Sequence, residues 1–198
     1  MQLSKKQEAI IIGTLLGDGC LERNGKYVRL RLEHGISQGE YLLWKYRELK
    51  NVITGKVMRV NAFHKKNNKN YESLRIYTYS HGVFEKFWHI FYKNRKKFVP
   101  LNISELLNTP LALAVWFMDD GYKRNDCNAF RLNSEAFNKQ EQIKLCRMLK
   151  NNFGIDVTLH KKGKFWNIYV PQKSAKKFVE IVKPFILPNF QYKIALAP

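Results

Sequence analysis

Hydrophobic and polar positions along this chain alternate between the periods typical of strands and of helices. Residues 26–33 alternate with period two and predict a strand with one basic face and one apolar face. Residues 37–49 carry apolar positions at helical spacing and predict a helix. The same patterns predict, in chain order, strands 56–63 and 72–79, helix 82–92, strand 129–133, helix 139–151, strands 157–160 and 165–170, and helix 174–182. Short strands mixed with helices in this order indicate an α+β protein with antiparallel sheets.

Two apolar runs break this pattern, and each ends in an aspartate followed by glycine, at Asp18 and at Asp120. The first run starts after Ser4, which forms a capping-box pattern with Gln7 and predicts a helix that continues to Leu16. A carboxylate at a helix C-terminus faces the negative end of the helix dipole, so it is costly unless a cation offsets it. Because the costly arrangement occurs twice, we predict that two carboxylates are brought to one place with metal between them.

The elements after the two apolar runs follow the same order, which indicates an internal repeat of α-β-β-α type. We expect a first half at residues 1–98, a connector at residues 99–110 and a second half at residues 111–198. The predicted fold class is therefore α+β with a pseudo-two-fold repeat. Since both repeats lie in one chain, we expect a monomer.

Small residues on the first apolar helix favour close packing of the two helices. Gly13 and Gly17 lie four residues apart on one helix face, and this spacing lets two backbones approach. The second run offers Ala114 and Met118 at the same spacing. If the helices pack in parallel, both aspartates emerge at one end, where oxygen ligands alone select Mg²⁺ or a similar hard ion.

The charge of the chain indicates a polyanionic partner. Lysine and arginine total 35 against 16 aspartates and glutamates, which gives a formal net charge of +19. Both halves are basic, so the excess does not belong to a detachable tail. A folded chain with this excess is typical of a nucleic-acid binder.

The cysteine pattern and the lack of long apolar segments indicate an intracellular protein. Cys20, Cys127 and Cys146 are widely spaced and odd in number, so we expect reduced thiols. No uncharged stretch approaches the roughly 18 apolar residues of a membrane span, and the first residues leave no room for a signal or transit peptide. We expect a reducing compartment, either an organelle matrix or a bacterial or archaeal cytoplasm, and no membrane partner.

Residues 11–19 and 113–121 fit, position by position, the nine-residue signature of a known family, and Asp18 and Asp120 occupy its eighth, catalytic position. Over almost its whole length the chain resembles a LAGLIDADG homing endonuclease of the single-chain, two-motif kind. Its second half resembles the mitochondrial omega-intron endonuclease subgroup, through a Trp-Phe-Met-Asp-Asp-Gly motif and a later proline-bounded segment. The departures from the usual signature alter the packing face and leave both acids intact; they are Thr14, Gly17, Val115 and Asp119.

The resemblance implies that the two signature helices pack at the centre and that two antiparallel sheets form a saddle over a long DNA duplex. It implies site-specific hydrolysis of both strands, which leaves short 3′ overhangs and promotes intron mobility. Mg²⁺, for which Mn²⁺ can substitute, would be held by Asp18 and Asp120. The residues just before these acids, Gly17 and Asp119, would supply further oxygens to the metal.

The resemblance also implies two catalytic lysines. Lys97 stands in a Lys-Lys-x-x-Pro context shortly before the second motif, and Lys193 lies near the C-terminus, as in the family. A lysine beside a scissile phosphate can polarise the attacking water or offset developing negative charge. The five histidines, His34 among them, show no ligand spacing and receive no role.

Basic, amide and aromatic residues on the predicted strands, together with lysines in the turns, are expected to contact DNA. In a major groove arginine reads guanine and asparagine reads adenine, whereas lysine-rich turns fall on the phosphate backbone. The strand residues repeat at intervals of two, so we expect them to share faces. The candidates are Arg29, Arg31, Arg59, Asn61, Lys65, Lys66, Arg75, Tyr77, Lys123, Arg124, Arg131, Lys161, Lys162, Lys164, Asn167 and Tyr169.

Two other functions fit the same sequence pattern. An intron RNA maturase, which assists splicing, would use the same fold and basic surface with host intron RNA as its partner. A non-cleaving DNA-binding protein on this scaffold would not need the acids. Because Asp18 and Asp120 are both intact, the sequence favours cleavage.

Overall fold

The computed structural model describes residues 2–65 and 67–196, which form helices and antiparallel strands. The α-helices are α1 (Lys5–Leu16), α2 (Gly39–Glu48), α3 (Gly82–Phe91), α4 (Ile103–Leu106), α5 (Pro110–Asp120), α6 (Lys139–Phe153) and α7 (Gln172–Val182). The strands are β1 (Cys20–Asn24), β2 (Tyr27–Gly35), β3 (Ile53–His64), β4 (Lys69–Thr78), β5 (Tyr92–Lys93), β6 (Lys96–Lys97), β7 (Gly121–Lys123), β8 (Phe130–Leu132), β9 (Thr158–Lys162) and β10 (Phe165–Val170). Short 3₁₀-helices lie at Ile36–Gln38, Lys183–Phe185 and Pro188–Lys193.

Two four-stranded antiparallel sheets have the same strand order. The first sheet runs β1-β2-β4-β3 and the second runs β7-β8-β10-β9, while β5 and β6 form a separate two-stranded ladder. The predicted α+β class with antiparallel sheets is therefore confirmed. The shared order also matches the predicted internal repeat.

The chain forms two compact units that do not coincide with the two sequence halves. The first unit contains residues 2–7 and Asp18–His89, and the second contains Glu8–Gly17 and residues 90–196. The body of α1 belongs to the first half by sequence, but it packs on α5 in the second unit. The division into residues 1–98, 99–110 and 111–198 stays a prediction about the repeat in the sequence.

Strand β2 shows why the first sheet forms. Val28, Leu30 and Leu32 are buried, and the residues between them are half-buried or exposed, as period two requires. Helix α2 covers the apolar face of this unit with buried Tyr41 and Leu42. The two predicted faces of this strand are confirmed.

The caps of α1 and α5 explain where these two helices begin. Ser4 and Gln7 form the predicted capping box: Gln7 N donates to Ser4 Oγ at 3.2 Å, and Ser4 N donates to Gln7 Oε1 at 3.0 Å. Helix α5 has proline at its first position, and Thr109 Oγ1 accepts from Ala112 N at 3.2 Å. Local sequence therefore fixes the start of both acid-ended helices.

Several short elements differ from the sequence expectation. Strands β1 and β7 follow the two aspartates directly, and the alternation pattern did not predict them. The hairpin of β3 and β4 is longer than predicted, because its strands pair from Ile53 with Thr78 out to His64 with Lys69. All three cysteines are free, and no helix among the described residues is long and apolar enough to cross a membrane.

Candidate active site and DNA-binding surface

The two acid-ended helices contact each other closely through glycines of α1. A side chain on Gly13 would place its Cβ 2.8 Å from Val115 Cβ, and one on Gly17 would place it 2.5 Å from Asp119 Cβ. Real Cβ atoms do not approach so closely, so both contacts require glycine. Since Gly13 faces Val115 and Gly17 faces Asp119, the helices run in parallel, as predicted.

The face that α5 offers to this contact differs from the predicted one. The spacing of Ala114 and Met118 predicted that these residues face α1, but the contacts to the glycines come from Ala112, Val115 and Asp119. Ala114 and Met118 are buried elsewhere in the core of the second unit. The glycines remove the need for small partners, because the space they leave accommodates a valine and an aspartate.

Lys97 lies at the C-terminus of α1. Its Nζ donates a hydrogen bond of 2.9 Å to the backbone oxygen of Gly17, the residue before Asp18. The last carbonyls of a helix have no partner within the helix and carry the negative end of its dipole. A lysine there supplies the cation that the sequence argument required.

Lys193 lies at the C-terminus of α5, where it binds a carbonyl one signature position earlier than Lys97 does on α1. Its Nζ donates to the backbone oxygen of Met118 at 2.7 Å, and only 7% of the residue is exposed. The ammonium group also lies 4.9 Å from the centroid of the Phe190 ring. The two predicted catalytic lysines thus lie one at each acid-ended helix terminus.

Asp120 closes α5 at a sharp change of backbone direction. Gly121 leaves the helix in an extended conformation, and its N–H donates to Phe117 O. A Cβ at Gly121 would collide with the Phe117 ring, so only glycine fits. The backbone oxygen of Asp120 accepts from Asn133 N at 3.0 Å, which fixes the acid against β8.

Asp18 belongs to the first unit, where its carboxylate is partly exposed and faces a buried histidine. The Asp18 side chain is 44% exposed, and its Oδ2 lies 3.6 Å from Nδ1 of His34, which is 2% exposed. His34 received no role from the sequence because its partners are distant along the chain. The sequence feature that could have identified His34 is its position at the end of β2, the second strand after Asp18.

The donor set at these termini suits a hard divalent cation. Asp18, Asp119 and Asp120 are exposed or half-buried carboxylates, so each can reach solvent and an incoming ligand. Carboxylate and carbonyl oxygens are the ligands that Mg²⁺ prefers. The oxygen donors that each unit offers, Asp18 in the first and Asp119 and Asp120 in the second, are therefore of the kind that a divalent metal ion takes.

Arginines and glutamates cover the polar face of the first sheet. Arg29 donates to Glu22 at 2.8 Å and 2.6 Å, and its guanidinium lies 3.9 Å from the Tyr77 ring centroid. Arg75 donates to Glu33 at 2.8 Å. Burial raises the pKa of Glu33, but hydrogen bonds from Arg75 and Ser73 outweigh burial and hold that pKa below its usual value. These pairs orient the arginine side chains before any ligand arrives.

The register of the β3–β4 hairpin shows which of the predicted DNA contacts lie on the same side of the first sheet. Arg59 pairs with Leu74 and Asn61 with Glu72, whereas Arg75 pairs with Met58. Neighbouring paired residues point to the same side of a sheet. Arg59 and Asn61 therefore share one side of the hairpin, as their spacing predicts, and that side is opposite to Arg75. Arg31 and Tyr77 are a pair and do share the face of Arg75.

The second sheet carries a smaller polar face that includes two of the predicted contacts. Arg131 and Tyr169 are paired across β8 and β10, and the Tyr169 ring stacks on His160 at 4.1 Å. Burial lowers the pKa of His160, and the positive charges of Arg131 and Arg124 lower it further. Arg131, Tyr169 and His160 therefore form a positively charged aromatic surface.

Asn167 does not lie open on this face as expected. It is fully buried, and its amide Nδ2 donates to Glu135 Oε1 at 3.2 Å. Lys162 also donates to Glu135 at 3.1 Å, and these two hydrogen bonds lower the pKa of Glu135. The prediction of an exposed amide was wrong because Glu135, which lies outside the strand pattern, covers it.

The remaining predicted contacts lie in turns and beside Lys193. Lys65, Lys161 and Lys164 are exposed, and Lys66 lies outside the described residues. Arg124 forms a double hydrogen bond with Asp126 and lowers the pKa of that carboxyl to about 2. An open groove of about 670 Å³ is lined by Lys123, Arg124, Arg131, Lys193 and their neighbours, and it joins the polar face of the second sheet to Lys193.

This fold and site define a DNA-cleaving enzyme with two acid-ended helices in one chain. Residues 8–178 match the family described as LAGLIDADG DNA endonuclease. The chain belongs to this family, and the resemblance drawn from its two signature motifs is confirmed.

The chain is similar to DNA endonucleases and to an mRNA maturase. A DNA endonuclease, I-ChuI of Chlamydomonas applanata, is 31% identical over 98% of this chain and 97% of its own length. The cytochrome b mRNA maturase bI2 of Debaryomyces hansenii is 31% identical over 97% of this chain and 74% of its own length. The homing endonuclease I-WcaI, solved with its DNA recognition sequence, superposes with a TM-score of 0.92 at 25% identity, over 100% of this chain and 89% of that one.

Proposed function

We propose that this endonuclease works as a monomer and makes a Mg²⁺-dependent, site-specific double-strand break that promotes intron mobility. The single observation that carries the proposal is the matched placement of the two lysines. Each acid-ended helix has a terminal carbonyl bound by a lysine that the family resemblance had singled out, Lys97 at Gly17 and Lys193 at Met118.

The acids have separate positions in the chain but equivalent ones in the motif. Asp18 follows Gly17, and Asp120 follows Asp119, so each acid comes directly after one member of the close Gly17–Asp119 contact. We assign both aspartates as metal ligands, with Gly17 and Asp119 as further oxygen donors. A bound Mg²⁺ would lower the pKa of the attacking water and stabilise the leaving 3′ oxygen.

The lysines have a distinct task in this proposal. A lysine ammonium carries three donors, and each backbone carbonyl engages one of them. A positive charge at each of these helix termini can offset the negative charge that develops on a phosphate during hydrolysis. The hydrogen bonds to the helix carbonyls hold both ammonium groups in place, so the lysines need little reorganisation during hydrolysis.

Recognition of the target falls to the polar faces of the two sheets. In the first sheet Arg29, Arg31, Arg75 and Tyr77 share a face, and in the second sheet Arg131 and Tyr169 do so. We assign base reading to these residues. Exposed lysines in or beside the hairpin turns, such as Lys65, Lys161 and Lys164, are assigned to phosphates, because long flexible cations suit sequence-independent contacts.

RNA splicing assistance is a second candidate, because one 31% identical relative is a cytochrome b mRNA maturase. The basic surface described above would serve a folded intron RNA as well as a DNA duplex. Maturase activity would not require the acids. It would therefore survive Asp18→Asn and Asp120→Asn.

Cleavage of a randomised DNA target library in Mg²⁺, followed by sequencing of the cut ends, tests the proposal. We expect one long preferred site, with both strands cut and short 3′ overhangs. The double variant Asp18→Asn/Asp120→Asn serves as the matched control and should leave the library intact. Cutting without sequence preference, or equal cutting by the double variant, would contradict the proposal.

A further inference from the structure

A buried chain of polar groups lies behind the carboxylate of Asp18 in the first unit. His34 Nδ1 lies 3.6 Å from Asp18 Oδ2, and His34 Nε2 lies 3.1 Å from Lys45 Nζ. Lys45 is fully buried on α2, and its ammonium lies 4.3 Å from the Tyr41 ring centroid. The three side chains form a carboxylate–imidazole–ammonium series from the surface into the core.

The lysine decides which nitrogen of His34 carries the proton. A lysine ammonium has donors and no acceptor, so its contact with Nε2 requires Nε2 to accept. The neutral imidazole ring then carries its hydrogen on Nδ1, the nitrogen that faces Asp18. Lys45 thereby directs the His34 N–H toward the acid.

The cost of this arrangement indicates that it serves more than packing. Burying an ammonium group is expensive, and an apolar residue of similar volume in its place is often neutral or stabilising. Tyr41 and Lys45 lie one turn apart on α2 and both face His34, so this helix supports the ring from two positions.

In the second sheet an uncharged pair, Ser134 and Gln142, connects the sheet to the following helix. Beyond the end of β8, Ser134 Oγ donates to Gln142 Oε1 at 2.8 Å, and Gln142 Nε2 donates to the backbone oxygens of Ser134, Phe137 and Trp166. Both Ser134 and Gln142 are buried. A neutral hydroxyl–amide pair is therefore enough to tie the following helix to the sheet.

We infer that His34, held in one tautomer by Lys45, is a positioning residue that orients the Asp18 carboxylate for its metal. The inference rests on the assignment of Asp18 as a metal ligand in the proposed function. At 3.6 Å the contact of His34 with Asp18 is electrostatic, and loss of outer-shell partners that orient a metal ligand typically lowers metal affinity or activity about 10- to 100-fold.

The tautomer is measured first, on the full chain without metal or DNA. Two-bond ¹H–¹⁵N spectra of the histidine rings, with His34 assigned through His34→Asn, should show a proton on Nδ1 and a bare Nε2. Lys45→Met, which removes the ammonium and keeps a similar length, should change that pattern. A proton on Nε2 in the parent protein would overturn the inference.

Two amide substitutions then separate positioning from packing. Asparagine places its amide N–H near the position of Nδ1, whereas glutamine places it near Nε2, and both are polar residues of moderate size. We expect His34→Asn to cleave within about threefold of the parent, and His34→Gln to cleave about tenfold more slowly with a raised half-saturating Mg²⁺ concentration. Ser134→Ala is the control in the second sheet and should not raise the Mg²⁺ requirement.

The outcomes distinguish failure of the proposed function from failure of the positioning role of His34. Full cleavage by Asp18→Asn would contradict the proposed function itself. Loss of cleavage by Asp18→Asn, with equal Mg²⁺ dependence for the asparagine and glutamine variants of His34, would contradict the positioning role alone. Equal melting temperatures for the two His34 variants ensure that the comparison does not report unfolding.

Discussion

Lys97 Nζ donates a 2.9 Å hydrogen bond to the backbone oxygen of Gly17, the last residue before Asp18. Lys193 donates to Met118 O, two residues before Asp120, so its contact lies one signature position earlier than that of Lys97. A carboxylate at a helix C-terminus is unfavourable by itself, and in both helices a lysine compensates at the same terminus. In the proposed mechanism the same two side chains therefore contribute to both stability and catalysis.

Replacing each lysine by methionine should show how much each one contributes to stability and to cleavage. Lys193 is almost fully buried, so Lys193→Met leaves Met118 O without its donor and should cost about 1–3 kcal/mol of unfolding free energy. Lys97 is half-buried, so Lys97→Met should cost less, because water can replace the donor. Both variants should lower the single-turnover cleavage rate about 10²- to 10³-fold. Urea unfolding and rapid-quench cleavage measure the two effects, and unchanged cleavage by either variant would remove that lysine from the mechanism.

Asp18→Asn and Asp120→Asn should each abolish double-strand cleavage in Mg²⁺. Asparagine keeps the size of aspartate and removes one metal-binding charge. Binding to the target should stay within about tenfold of the parent or improve slightly, because a carboxylate near phosphates repels them when metal is absent. Substrates labelled on one strand or the other show whether a single acid serves one strand. Double-strand cutting by either variant would show that the paired-acid assignment is wrong.

Gly13→Ala should destabilise the protein by about 1–3 kcal/mol, although alanine is the better helix former. The new Cβ would lie 2.8 Å from Val115 Cβ and closer still to the Ala112 carbonyl, and neither can move away easily. Gly35→Ala is the matched control, because Gly35 has a φ of −56° and no atom within 4 Å of a new Cβ. Thermal unfolding of both variants tests the close contact between α1 and α5. If that contact is correct, Gly13→Ala is less stable than Gly35→Ala.

Arg75→Ala should relax the sequence preference of the enzyme at one base pair, at a cost of about 1–3 kcal/mol in target binding. Arg75 is already oriented by Glu33 at 2.8 Å, so little side-chain entropy is lost when it meets a base. Lys65→Ala, in the exposed turn, should weaken all sequences alike. Binding profiles over single-base variants of the target compare them, and a uniform loss from Arg75→Ala would reassign that residue to the backbone.

Target binding should depend strongly on salt because of the net charge of +19. If about eight phosphates are neutralised, log K should fall against log salt with a slope near about −7. Fluorescence anisotropy between low and physiological salt measures the slope. A slope shallower than about −2 would mean that the charge has another purpose.

Features encoded locally could be predicted from the sequence. The capping box of Ser4 and Gln7 involves residues three apart, and the buried positions of β2 follow directly from its alternation. The two acids were also identified, because their motifs repeat within the chain. The catalytic lysines came from family resemblance and not from spacing, since nothing local separates Lys97 from the other lysines.

Features set by register or by distant partners could not be predicted. Alternation shows that Arg59 and Asn61 share a side of β3, but the pairing of His64 with Lys69 at the hairpin end decides which side of the sheet that is. Asn167 is buried because Glu135 reaches it from another segment. His34 acquires its role from Lys45 on the next helix, a contact that no strand pattern encodes.

The passage of α1 into the second unit has a consequence for how such chains diversify. Helix α1 leaves its own sequence half to pack on α5, whereas α5 stays with its own half in the second unit. Cutting the chain in the connector would leave the second fragment without α1, so that fragment should need the first one to fold. Halves drawn from different relatives can then be recombined with new reading surfaces, provided that the glycine-lined contact of α1 with α5 is kept.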